Sequence, residues 1–101
     1  MMKFLGRTFF LKKAGSLITG DRQKAYGEAR VNFGRTAKLW QAYLWGRDLE
    51  KEPLKPHDVA VFNQLQKISR TAHDPTIIDN WVDNLGFGAI GGELAVKKDN
   101  E

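Results

Sequence analysis

The chain has no cysteine, so it can build neither a disulfide framework nor a thiolate metal site. It has only two histidines. His57 and His73 both flank predicted helix ends and read as capping or solvated residues. No nucleophilic triad can be assembled around them. A phosphate-binding P-loop and a dinucleotide fingerprint are also missing. No apolar run approaches the roughly 20 residues that a membrane-spanning helix needs. The opening Met1-Met2-Lys3-Phe4-Leu5 resembles an export signal for a few residues only. Arg7, Lys12 and Lys13 interrupt any apolar segment behind it. The expected setting is therefore cytoplasmic, with no membrane partner.

What is present is an ordinary globular composition over 101 residues, enough for one domain. A chain this short buries limited area, and oligomerisation is a common supplement. The net charge is +4 and unevenly spread. Residues 1–47 hold ten Lys or Arg against Asp21 and Glu28, or +8; residues 48–101 hold six against ten acids, or −4. A basic half attracts anions such as phosphorylated ligands. The plainer reading is that the halves attract each other, within one chain or across a dimer.

Helical periodicity runs through the chain. Over 3–18, Phe10, Ala14, Leu17 and Ile18 repeat at helical spacing, while Leu5 and Phe9 fall on another side. A helix apolar on two faces is sandwiched or pairs with another chain. Gly20 suits a left-handed cap after it. A second helix is predicted from about Glu28 to Tyr43, packing through Phe33, Ala37, Trp40 and Leu44. Asn32 lies beside that stripe and needs a partner if buried. A charged linker follows, and Pro56 opens a third helix, with Asp58 in its first turn. That helix packs through Val61, Phe62, Leu65, Ile68 and Ala72. Asp74-Pro75 separates it from a fourth, expected to pack through Ile78, Val82, Leu85 and Ala89. Gly86, Gly88, Gly91 and Gly92 in that helix call for close approach of a neighbour, or for early termination near Gly91. The expected fold is all-α: a compact bundle of about four helices over 1–95, completed by oligomerisation, with a polar tail at 96–101.

The candidate chemistry is concentrated between His57 and Leu94. Asn63, Lys67 and Arg70 share one stripe of the third helix. Arg70 can hold phosphate in bidentate fashion, with Lys67 beside it. Asp79 and Asp83 lie one turn apart and could share Mg²⁺ through oxygen ligands. The structural alternative is a salt-bridge network, with Asp79 capping its helix and Asp83 paired to Lys67 or Arg70. Arg22 and Lys24, with the backbone amides at the Gly20–Gly27 corner, form a second place for phosphate; the alternative there is a capped turn, with Asp21 accepting backbone hydrogen bonds.

Gly20-Asp21-Arg22, Tyr26-Gly27, Asn32-Phe33, Leu39-Trp40-Gln41-Ala42-Tyr43-Leu44, Asp58-Val59-Ala60, Lys67-Ile68-Ser69-Arg70 and Asp79-Asn80-Trp81-Val82-Asp83-Asn84-Leu85-Gly86 together resemble a family of small phage and prophage proteins, over about 16–95. That family is remotely similar to the all-α, MazG-like nucleoside triphosphate pyrophosphohydrolases. The resemblance implies a homo-oligomer in the host cytoplasm and a Mg²⁺ site of clustered acids. It implies Asp79 and Asp83 as one metal-holding acidic cluster and names no catalytic residue; the residues of the chain itself put Asp21, Arg22, Tyr26, Asn32, Lys67 and Arg70 around the ligand. The chain departs from the pattern in its third helix, where a paired-glutamate motif is replaced by Asn63, Gln64, Gln66 and Lys67. Two functions follow as expectations. Mg²⁺-dependent pyrophosphohydrolysis stands slightly ahead of non-catalytic binding of a nucleotide or other phosphorylated small molecule. A host-protein interaction module is the third reading. Nucleic acid is a weaker partner, because the aromatics of the basic half fall on core stripes.

Overall fold

A computed structural model describes residues 5–20, 24 and 26–100, with side chains as far as Val96. Four helices carry the described chain: α1 (Arg7–Ile18), α2 (Ala29–Leu44), α3 (Pro56–His73) and α4 (Ile78–Asn100). No strand occurs among the described residues. The all-α expectation is met, with element ends close to those read from the sequence.

Local chemistry sets the boundaries. Gly46 takes a positive φ of 81° immediately after α2 and turns the chain away. Pro56 occupies the first turn of α3, and the Asp58 carboxylate accepts a 2.7 Å hydrogen bond from the Lys55 backbone N–H. After α3, Asp74 Oδ1 accepts from both the N–H and the hydroxyl of Thr76, closing the turn into α4. The glycines do not end α4, which continues past Gly91 and Gly92 to Asn100. Nor is Gly20 a left-handed cap: the glycines with positive φ are Gly27 and Gly46.

α3 is the central element, lying against α2 on one side and α4 on the other. Its contact with α4 is made by small groups. A Cβ on Gly91 would lie 3.0 Å from the Ala60 methyl, and one on Gly88 would meet the Gln64 amide at 2.8 Å. Gln64 Nε2 also donates to the Asn84 carbonyl. The close approach anticipated for these glycines is thus present, at Gly88 and Gly91.

The core differs from the expected one. α2 faces α3 with Asn32 and Thr36, both buried, rather than with Phe33 and Ala37. Ser69 Oγ lies 3.0 Å from both the Asn32 carbonyl and Oδ1, and Thr36 Oγ1 donates to the same carbonyl. Buried polar groups require partners, and these find each other across the interface. Trp40 keeps an inward role: it stacks on Phe62 at 4.9 Å and donates its indole N–H to the Phe62 carbonyl. α4 turns Asn80 and Gly91 inward, leaving Ile78, Val82, Leu85 and Ala89 on the outside. Ala60 is the one buried apolar side chain among the described residues.

Candidate functional site

A cavity of about 290 Å³ opens beside the α1–α2 corner, lined by Ile18, Tyr26, Gly27, Ala29, Asn32, Phe33 and Arg70. Gly27, at φ 82°, makes the bend that brings Tyr26 to its wall. A side chain there would strike the His73 ring, whose Nδ1 would lie 2.9 Å from a Cβ. His73 Nε2 is 3.2 Å from the Lys24 carbonyl, tying the corner to the end of α3.

Two polar side chains face an otherwise apolar lining. Asn32 is anchored by Ser69, as above. The Arg70 guanidinium carbon lies 4.0 Å from the centre of the Tyr26 ring. That is cation–π distance, and the stacking holds a planar cation in place. Arg70 Nε is buried with no hydrogen-bond partner. A buried charged donor without an acceptor is costly in an empty site, and an anion at the guanidinium edge would supply the acceptor.

Three of the six expected ligand residues, Tyr26, Asn32 and Arg70, therefore meet at one cavity. Lys67 does not line it; its Nζ lies 3.0 Å from Asp83 Oδ2 on the α4 side of α3. Asp21 and Arg22 lie outside the described residues. Asp79 and Asp83 share the first turns of α4 but stay exposed, and Asp83 is already paired with Lys67. Among the described residues no three His, Asp or Glu side chains gather where a cation could sit. A Mg²⁺ ion at this place would have two exposed carboxylates to hold it, one of them already engaged by Lys67.

The strongest electrostatic cluster was not singled out from the sequence as a unit. Asp58 is fully buried at the start of α3. Arg47 Nη1 and Nη2 grip its two oxygens at 2.8 and 2.7 Å, and the Tyr43 hydroxyl donates to Oδ1 at 2.7 Å. The Arg47 hydrogen bonds hold the Asp58 carboxyl well below the usual carboxylate range, against the opposing effect of burial. In return the Asp58 hydrogen bond raises the Tyr43 phenol. Arg47 also donates to the carbonyls of Glu52 and Pro53. With so many groups already paired, the cluster works as a staple that binds the 45–55 linker to α2 and α3. The legible signal was Asp58 in the first turn; Tyr43 and Arg47 join it only through the path of the linker.

A second, more open cleft runs along α2 between Arg30, Val31, Gly34, Arg35, Lys38 and Leu39. It has basic groups but no aromatic surface on which a base could stack.

Comparison with known proteins places the chain in a family. The family described as a domain of unknown function, DUF6378, matches residues 9–95. The Gene 55 protein of Mycobacterium phage L5 is 34% identical over 89 residues, covering 88% of this chain and 54% of that protein. The Gene 55 protein of Mycobacterium phage D29 is 38% identical over 77 residues, covering 76% and 47%. The chain spans about half the length of these relatives. No solved structure matches. None of the described helices is long and apolar enough to cross a membrane.

Proposed function

The chain belongs to this DUF6378 family and is a phage-type protein; from that premise we propose that it binds a small phosphorylated ligand of the nucleotide class, without turning it over. The observation that carries the reading is Arg70, stacked on Tyr26 in the wall of a largely apolar cavity, with a buried Nε that lacks an acceptor. An apolar slot bordered by Tyr26 and Phe33 suits a flat ring, and the guanidinium edge suits the anionic group attached to it. Asn32 offers an amide for orientation. The size of the cavity narrows the choice. At about 290 Å³ it lies at the low end of the roughly 300–1,000 Å³ usual for ligand sites, so a nucleoside monophosphate suits it better than a triphosphate.

Hydrolysis by a MazG-like mechanism draws its support from the sequence resemblance. It needs clustered acids around the phosphates, and the carboxylates nearest that role are exposed or paired with Lys67. The geometry favours binding. In a phage such a protein would sequester a host nucleotide or signal.

Titration calorimetry against a panel of nucleoside mono-, di- and triphosphates tests the proposal. Binding is expected for at least one monophosphate, and Arg70→Ala is expected to weaken it by about tenfold or more, a charged hydrogen bond being worth about 1.5–3 kcal/mol. Absence of binding across the panel at millimolar ligand would overturn it. Pyrophosphate release that depends on Asp83 would instead establish the hydrolytic reading.

A further inference from the structure

We infer that two copies of this chain pair by exchange, α1 of each copy docking on the outer face of α4 of the other. The first observation is that α1 lies against none of the other three helices. It nevertheless carries Phe10, Leu11 and Leu17, all exposed, and meets the rest of the chain only at its end, where Ile18 lines the cavity. The second is the outer face of α4. Ile78, Val82, Leu85 and Ala89 follow one another at helical spacing on the side opposite Asn80 and Gly91. Ile78 is 74% and Leu85 77% exposed. Gly86, on the same side, has open space where a Cβ would stand.

The two surfaces match in length and in charge. α1 has 12 residues and is about 18 Å long at 1.5 Å per residue. The stripe from Ile78 to Ala89 spans about 16 Å on the same rise. The α1 helix carries Arg7, Lys12 and Lys13 and no acid, whereas the margin of the α4 stripe carries Asp79 and Glu93. Opposite charges around an apolar centre set register and orientation between partners.

The area is also that of an interface. The chain exposes 8286 Å², against about 5,800 Å² expected of a folded 11.5 kDa monomer. Its radius of gyration is 17.1 Å, where a compact chain of this length has about 13 Å. The surplus of roughly 2,500 Å² per copy, or about 5,000 Å² for a pair, reaches the upper part of the 2,000–5,000 Å² total buried by obligate dimers. Reciprocal exchange also closes the assembly as a two-fold pair, with both the α1 and the α4 stripes covered.

Light scattering coupled to size exclusion, with the 101-residue chain at micromolar concentration, gives the first reading. The expected mass is twice that of the chain. Val82→Glu with Leu85→Glu should reduce it to the chain mass, as should Phe10→Glu with Leu17→Glu. Both variants should keep their helical circular dichroism, since all four positions face outward. Mixing the two monomeric variants is the decisive arm. In an exchanged pair each mixed dimer retains one intact α1–α4 contact, so mixing should restore dimers. Pairing of α4 with α4 would leave the Phe10→Glu, Leu17→Glu variant dimeric, and that result, or no recovery on mixing, overturns the proposal. A monomeric wild-type chain overturns it too, whether or not α1 then binds vesicles of anionic phospholipid.

Discussion

At the level of single residues, the fold depends on polar groups that meet exact partners, chiefly Asp58. Its carboxylate is buried and satisfied by Arg47, Tyr43 and the Lys55 backbone. Breaking one side of a buried pair leaves the other uncompensated, so Asp58→Asn should lower unfolding stability by about 3 kcal/mol, read by urea denaturation. The pH dependence follows from the sign of the shift. The native carboxyl titrates below the unfolded one, so the unfolded chain binds the proton more readily. The stabilisation is full above the ordinary aspartate range near pH 3.9 and is lost as pH falls below it. Melting temperature should decline below about pH 4 in the wild type and decline less steeply in Asp58→Asn. The sequence announced Asp58 as a first-turn acid and Asn32 as a residue in need of a partner. It did not announce Arg47 or Ser69 as those partners, because they lie 11 and 37 positions away along the chain.

Helix by helix, amphipathic spacing located the elements well and oriented them poorly. Periodicity marks which side of a helix is apolar; it does not say whether the same chain covers that side. On α2 the packed side is about 100° from the apolar stripe, by the geometry of 3.6 residues per turn. The reason lies in α3, which offers Ser69 and Ala60 as small, close contacts that Asn32 and Gly91 can meet at short range. Glycine substitutions should separate the two kinds of helix surface. Gly34 has open space around a Cβ, so Gly34→Ala should raise stability by up to about 1 kcal/mol through helix propensity. Gly91 is pressed against Ala60, so Gly91→Leu should cost about 1–3 kcal/mol by overpacking. Thermal melts of the two variants should move in opposite directions; equal shifts would place the α3–α4 contact elsewhere.

For the whole molecule, the charge division along the chain gains a physical role. A +8 half and a −4 half attract most effectively when each can reach its counterpart, and exchange of α1 provides that reach. Exposed charges are screened over about 8 Å at physiological ionic strength. Dimer dissociation should therefore increase with salt at low protein concentration, as followed by sedimentation velocity. Lys13→Glu should weaken the dimer and flatten its dependence on salt, and Asp79→Lys added to it should restore part of the affinity. By itself, the sequence determined the helical class, the four elements and most of their ends, the phage-type family and three of the seven cavity residues. These rest on local periodicity, capping and motif, which act over a few residues. Only the tertiary structure decided that Tyr26, Asn32 and Arg70 share one cavity while Lys67 turns to Asp83, and that the apolar stripe of α4 faces outward. Those outcomes depend on which helix lies beside which and how closely, a competition between whole faces that no local spacing encodes.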